Sequence, residues 1–180
     1  CLHYFTIFVI AISAVVYQND FKSIFQKVGN PKGLSIFGDS MSSDDELREA
    51  TTEILSACQD MAKQDVGAII IIDMNGDIQD TIIESGTPLG AVLSAPLLES
   101  IFNTKAPLHD GAVIVRGNKI VAAGCFLPLT QRHVNKEMGT RHRAAIGITE
   151  ETDVLSIVVS EETGIISVVK HGEIKRYMTM

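Results

Sequence analysis

The run Gly67-Ala68-Ile69-Ile70-Ile71-Ile72, followed at once by Asp73 and the pair Asn75-Gly76, decides the fold of this sequence. Its β-branched residues form an unbroken apolar segment, which is typical of a strand buried on both faces of a sheet. The Asn-Gly pair favours a tight turn directly after it. The sequence therefore predicts a strand over residues 68–72 that other elements must cover from both sides.

A helix is predicted directly before this strand. Ser43 and Glu46 have the spacing of a capping box, and the acidic residues between them suit the positive end of a helix dipole. Apolar residues then recur with helical spacing until about residues 63–64. They are Leu47, Ala50, Ile54, Leu55, Cys58, Met61 and Ala62.

The rest of the chain alternates between strand-like and helix-like segments. The predicted strands cover residues 78–83, 111–115, 120–126, 154–159, 164–170 and 173–177, and the predicted helices cover 95–102 and 141–148. This alternation indicates the α/β class, with a mixed β-sheet core flanked by helices.

Composition narrows the possible functions. The chain has 180 residues, of which 46% are hydrophobic and 21% charged, so a disordered protein is excluded. Its net charge of −7 argues against a general nucleic-acid binder, which needs a broad basic surface. The three cysteines show no CxxC spacing, which excludes a disulfide framework and a cysteine-rich zinc site. A reducing compartment is expected.

The beginning of the chain is unusually apolar. No charged residue precedes Asp20, and residues 4–16 are almost wholly apolar, yet this run is shorter than the roughly 20 residues that span a bilayer. A buried helix, a strand and the truncated end of a membrane helix all remain open. The helical spacing of apolar residues within 21–28 predicts an amphipathic helix, and residues 29–42 are expected to form a linker.

The first candidate site is Asp110-Gly111-Ala112, at the mouth of a predicted strand. The carboxylate can bind a metal ion or accept a proton, and the small residues behind it let a ligand approach the backbone closely. The alternative is an aspartate that caps N–H groups in a turn.

The second candidate is Thr140-Arg141-His142-Arg143, which opens a predicted helix. Positive charge there opposes the helix dipole, and a bound polyanion would reverse that penalty. Free N–H groups, a hydroxyl and two guanidinium groups together suit phosphate. The alternative is a solvated basic face paired with Glu150, Glu151 and Asp153.

The third candidate is the segment Ser160-Glu161-Glu162-Thr163-Gly164, between two predicted strands. Paired carboxylates at a strand end can hold Mg²⁺ or Mn²⁺ together with phosphate oxygens. The alternative is a polar hairpin turn. The glycine-rich loops of P-loop and Rossmann nucleotide-binding proteins do not occur in the sequence.

In combination these segments resemble the diadenylate cyclase (DAC) domain family. Asp110-Gly111-Ala112 and Arg141-His142-Arg143, with 28 residues between them, resemble the family's Asp-Gly-Ala and Arg-His-Arg motifs. The stretches PLHDGAVIV, AAGCFLPL, GTRHRAAIGITEETD and VSEETGIISV extend the similarity over roughly residues 43–170. The resemblance implies the DAC-domain fold, and a cyclase domain over residues 43–180.

The resemblance also implies an activity. Family members condense two ATP into the second messenger cyclic di-AMP and release two pyrophosphates, with Mg²⁺ or Mn²⁺ as cofactor. Each subunit binds one ATP, so a homodimer with facing sites is required. A module that binds ATP or cyclic di-AMP without turnover, and a plain α/β scaffold, remain as alternatives.

Site residues follow from the matching positions. The resemblance implies that Asp110 helps to ionise the 3′-hydroxyl group and holds metal, with Glu162 and His109 as further metal ligands. The implied catalytic residues are Asp110, Arg141, His142 and Arg143. The implied nucleotide contacts are Gly111, Ala112, Gly124, Leu127, Thr140, Arg141, Arg143 and Ser160. Gly90, Ala95 and Phe126 depart from the usual family pattern, which affects a local helix and adenine packing rather than the reacting groups.

The membrane-anchored members place transmembrane helices before a short amphipathic helix and the cyclase. Residues 4–28 resemble that junction. The resemblance thus implies that residues 1–28 are the end of a membrane anchor followed by an amphipathic helix. The cyclase domain would then lie at the inner face of the membrane, facing the cytoplasm.

Overall fold

A computed structural model describes residues 40–134 and 138–177 of the chain. The described helices are α1 (Ser40–Lys63), α2 (Asp80–Ser85), α3 (Ala95–Phe102) and α4 (Thr140–Glu151). The described strands are β1 (Ala68–Ile72), β2 (Thr87–Val92), β3 (Ala112–Arg116), β4 (Lys119–Cys125), β5 (Leu155–Val159), β6 (Ile166–Lys170) and β7 (Glu173–Tyr177). The expected membrane-anchor end, the amphipathic helix and most of the expected linker lie outside these residues.

The strands form one mixed sheet in the order β2-β4-β3-β1-β5-β6-β7. β1 is the middle strand, parallel to β3 and antiparallel to β5, and the other neighbouring pairs are antiparallel. Ile70 lies between Val113 of β3 and Ile157 of β5. The prediction of a mixed sheet core flanked by helices is confirmed.

Helices cover both faces of this sheet, as the buried apolar run of β1 requires. Ile70 packs in a cluster with buried residues of α1 and α3. Its neighbours Ile69 and Ile71 point to the other face and pack with residues of α4 and α2. Each buried isoleucine contributes about 2 kcal/mol through its removal from water. β1 is therefore the strand around which both layers are organised.

Helix α1 begins earlier and buries a narrower stripe than the sequence predicts. Ser43 is inside the helix rather than at its cap, because the helix extends from Ser40 and so includes the end of the expected linker. The side chains of Leu47 and Leu55 are about half exposed, whereas Ile54 and Met61 are buried. The prediction of one stripe that includes both leucines is wrong for these two residues.

The prediction of a strand over residues 78–83 is also wrong. This segment contributes most of α2, and the strand that follows it, β2, was missed. β2 contains Pro88 and Gly90, which are poor strand residues, and its pairing with β4 shifts between Pro88 and Ala91. Both features are tolerated because β2 is at the edge of the sheet, with β4 as its one neighbour among the described strands.

The turn after β1 is built on the buried carboxylate of Asp73. Its Oδ1 accepts hydrogen bonds from the backbone N–H groups of Gly76, at 2.8 Å, and Asp77, at 2.9 Å. Its Oδ2 accepts from Nε of Arg116 at 2.7 Å. This charged network fixes the end of the sheet opposite to the start of β3, and it leaves the candidate site residues at the other end.

No helix among the described residues is long and apolar enough to cross a membrane.

Candidate active site

An open cleft of about 220 Å³ lies where β3 starts, β4 ends and α4 begins. Its lining includes Asp110, Gly111, Ala112, Leu127, Thr140 and Arg141. The sheet brings the first and second sequence candidates together because the start of β3 lies beside the end of β4, and the chain continues from there to α4. Two motifs that are 28 residues apart in sequence therefore share one cleft.

Two glycines make a close backbone contact at the cleft: Gly111 lines it, and Gly124 lies behind Gly111. Gly111 has a φ angle of 128°, and a Cβ atom added to it would lie 2.5 Å from the carbonyl carbon of Gly124. Gly124 also has a positive φ, of 68°. A positive φ strains any larger residue at either position, and at Gly111, directly before β3, the Gly124 backbone also leaves no room for a Cβ atom. Backbone geometry alone thus explains why residues 111 and 124 are glycines, whether or not they also contact a ligand.

The first turn of α4 points its basic residues in different directions. Arg141 is partly buried and lines the cleft, His142 is only 8% exposed, and Arg143 is exposed. Helix α4 starts at Thr140 after Gly139. The Arg143 N–H group donates to the Gly139 carbonyl, and the N–H groups before it in the first turn have no acceptors within the helix. Such a turn attracts anions, and the guanidinium groups beside it add positive charge.

Arg141 is held by an ion pair that the sequence did not predict. Its Nη1 donates to Oε2 of Glu161 at 2.7 Å. Gly67, directly before β1, lies against this pair: a Cβ atom at Gly67 would be 2.7 Å from Arg141 Nη1 and 2.8 Å from Glu161 Oε2. Gly67 and Glu161 therefore form a seat for the guanidinium group. The only sequence signal was the glycine at the start of the apolar run.

A second, smaller pocket of about 40 Å³ continues the cleft along α4. Thr140 and Arg141 line both cavities, while His142, Ser160 and Glu162 line the second. The segment 160–165 is a tight connection in which Gly164 N–H donates to the Ser160 carbonyl at 2.9 Å. The backbone of the third candidate, residues 160–164, is therefore a polar turn between β5 and β6. Side chains of this turn face α4.

Burial lowers the pKa of His142. The positive charge of Arg176 lowers this pKa further, and the carboxylate of Glu162 acts in the opposite direction. These effects together favour the neutral form of His142, whereas the two arginines of the Arg-His-Arg segment carry a permanent positive charge.

The three expected metal ligands lie in two different places. Nδ1 of His109 lies 2.6 Å from the carbonyl oxygen of Ala106 and donates to it, which leaves Nε2 as the ring nitrogen that faces away from this hydrogen bond. A backbone carbonyl behind the ring is a common arrangement for metal-binding histidines. Asp110, the next residue, is exposed. Within residues 40–134 and 138–177, however, no three His, Cys, Asp or Glu side chains converge, and Glu162 lies at the second pocket rather than the first.

The three departures from the family pattern lie in different parts of the described structure. Gly90 has a φ of 61° beside the irregular pairing of β2. The N–H group of Ala95 donates to Oε2 of Glu53 at 2.6 Å, which ties the start of α3 to α1. Phe126 is 69% exposed at the rim of the cleft.

Fold and site together define the class of protein. Residues 55–174 match the family model described as "DAC: DisA bacterial checkpoint controller nucleotide-binding". This match covers two thirds of the chain, and the chain belongs to the DAC family. The expected DAC-domain fold is confirmed.

Individual relatives agree with this membership. The chain is 42% identical over 167 residues to the cyclic di-AMP synthase CdaA of Bacillus subtilis, an alignment that covers 92% of this chain and 60% of the relative. It is 41% identical over 163 residues to a diadenylate cyclase of Listeria monocytogenes, covering 90% of this chain and 59% of that one. The chain thus spans about three fifths of the length of these curated relatives.

Solved structures give the same result. A double mutant of DacA from Staphylococcus aureus superimposes with a TM-score of 0.70 at 41% identity, over 73% of this chain and 88% of that one. A hypothetical membrane spanning protein from Bacillus cereus superimposes with a TM-score of 0.69 at 36% identity, over 97% and 87% of the two chains.

Proposed function

We propose that this chain is a diadenylate cyclase, which condenses two ATP into cyclic di-AMP and two pyrophosphates. The observation that carries the proposal is the meeting of Asp110 with the start of α4 in one cleft, in a member of the DAC family. The printed names of its relatives, cyclic di-AMP synthase and diadenylate cyclase, support the same activity.

In this proposal the cleft binds one ATP along its length. The base lies against Leu127 and Ala112, over the close backbone contact at Gly111 and Gly124. The triphosphate follows the first turn of α4 towards the second pocket, because that turn offers N–H donors and the Thr140 hydroxyl group. Arg141, Arg143 and Ser160 complete the phosphate contacts.

The chemical step is attack by the 3′-hydroxyl oxygen of one ATP on the α-phosphorus of the other. A bond forms between O3′ and the α-phosphorus, the bond from that phosphorus to the bridging oxygen breaks, and pyrophosphate leaves with the electron pair. Asp110, exposed at the mouth of the cleft, accepts the hydroxyl proton. Arg141 and Arg143 stabilise the negative charge that develops on the phosphates.

A divalent cation fits the carboxylate and imidazole donors at the mouth of the cleft. Asp110 and Nε2 of His109 would hold Mg²⁺ or Mn²⁺ together with nucleotide oxygens, and Glu162 is a further candidate ligand near the phosphates. The ion would lower the pKa of the attacking hydroxyl group and neutralise phosphate charge.

Two subunits are required because each cleft holds one ATP and the product joins two. The openness of the cleft at Asp110 supports a facing partner with its own nucleotide. A membrane location, with the cyclase at the cytoplasmic face and residues 1–28 at the end of an anchor, belongs to the same proposal. It is supported by the name of the Bacillus cereus neighbour as a membrane spanning protein.

The experiment compares wild type with Asp110→Asn and Arg143→Ala, using ATP with Mg²⁺ or Mn²⁺ and detecting cyclic di-AMP. Glu151→Gln serves as the control, since Glu151 is an exposed acid at the far end of α4. We expect product from wild type and Glu151→Gln, and a loss of at least about 100-fold in Asp110→Asn. ATP binding without product in the wild type would favour the sensor alternative, and absence of ATP binding would favour the plain scaffold.

A further inference from the structure

A third pocket, of about 40 Å³, lies beside the second pocket on the α4 side of the sheet. It is lined by His142, Ser160, Thr163, Ile165, Ser167 and Arg176. His142 and Ser160 also line the second pocket, so the three cavities follow one another along the first turn of α4. None of the six lining residues is acidic, whereas Glu161 and Glu162 line the second pocket.

The strand register explains why these residues meet. Ser167 of β6 lies directly opposite Arg176 of β7 and Val158 of β5. Val158 packs on the α4 face of the sheet, so Ser167 and Arg176 point to that face as well. His142, in the first turn of α4, lies over this row.

The hydroxyl group of Ser167 is independent support for a ligand in this pocket. Ser167 is fully buried, and its Oγ has no hydrogen-bond partner among the described residues. A buried hydroxyl group without a partner is costly, and its position in the wall of a polar pocket indicates that a ligand can satisfy it. Arg176 is exposed and forms no ion pair in the part of the chain that the structure describes.

We propose that this pocket is an anion subsite that takes the terminal phosphoryl group of a bound nucleotide or of pyrophosphate. Ser167 and Arg176 supply a hydroxyl donor and a guanidinium group, and Ser160 joins the subsite to the second pocket. Because no acidic residue lines the third pocket, it would bind the leaving pyrophosphate at a distance from the reacting α-phosphorus. The identification of the anion as part of a nucleotide rests on the proposed function. Binding of an anion to the pocket does not, because it can be measured by itself.

The test uses pyrophosphate as the probe, titrated calorimetrically into the whole chain in metal-free buffer. We compare Ser167→Ala with Ser156→Ala, and Arg176→Gln with Lys175→Gln. Ser156 is the matched control because its hydroxyl group is also buried and unpartnered but lies outside the pocket. Lys175 is next to Arg176 on β7 and therefore points to the opposite face.

We expect pyrophosphate binding to weaken about three-fold in Ser167→Ala and about ten-fold in Arg176→Gln, while both controls match wild type. Thermal melts verify that each variant folds, and AMP, which lacks the terminal phosphates, should bind all variants equally. Equal pyrophosphate affinity in all variants, or no pyrophosphate binding by the wild type, overturns the subsite. If the binding pattern holds but no cyclic di-AMP forms, the proposed function fails and the subsite stands.

Discussion

Gly67→Ala should disable the site while leaving the protein folded. The added Cβ atom would lie 2.7 Å from Arg141 Nη1 and 2.8 Å from Glu161 Oε2, which is too close for either to stay in place. The colliding atoms are the ends of side chains rather than backbone, so the guanidinium group can move away. Gly67 has no positive φ, and alanine adopts its conformation without strain.

Gly67→Ala should change the activity more than the stability. The stability change should stay within about 1 kcal/mol, because the ion pair is partly exposed and exposed pairs contribute little. The catalytic change should be larger, since misplacement of a phosphate-binding group by about 1 Å can cost about 100-fold in rate. We expect a 10- to 100-fold fall in cyclic di-AMP formation.

The assay combines product formation, ATP titration and urea unfolding. Glu161→Gln should lower the activity in the same direction but less, because the amide still accepts a hydrogen bond from Arg141. Glu151→Gln is the control for loss of an acidic side chain. Full activity in Gly67→Ala, with wild-type stability, would refute the idea that the seat positions Arg141.

Three further results are expected. Asp73→Asn should lower the free energy of unfolding by about 2 to 3 kcal/mol in urea, since it removes the buried negative charge that pairs with the Arg116 guanidinium group. Burial raises the pKa of Cys58 to about 12 and that of Cys125 to about 11, so peptide mapping should find neither thiol alkylated by iodoacetamide at pH 8 until the protein is unfolded. Folded His142 has a lowered pKa, so its contribution to stability is complete above about pH 6.5 and is lost as the pH falls through the folded value. The difference in unfolding free energy between wild type and His142→Asn should therefore be constant above that pH and shift in favour of the variant below it.

Local patterns in the sequence predicted the central part of the fold. The four isoleucines of β1 and the helix α3 carry strong local signals, and the structure confirms both. The sequence did not predict the edge strand β2, because Pro88 and Gly90 have low strand propensity. Its pairing with β4 is what makes it a strand. α2 was mistaken for a strand because its two adjacent isoleucines fit either period over so short a segment.

Sequence patterns predicted only those site residues that stand out among their neighbours in the chain. Asp110 and the Arg141–Arg143 segment stand out by charge and by position at element ends. The ion pair from Arg141 to Glu161 and the role of Gly67 depend on contacts between distant segments, which no periodicity reveals. Ser167 has an ordinary strand position, and its unpartnered hydroxyl group is visible only in three dimensions.

In the proposed reaction, two of these clefts face each other to join two ATP. This arrangement is tested most directly by the initial rate of cyclic di-AMP formation over a wide range of protein concentration, with sedimentation measured on the same samples. We predict that activity per subunit rises with concentration in proportion to the dimer and then levels off. Activity per subunit that stays constant at dilutions where only monomers sediment, or no product at any concentration, would contradict the account.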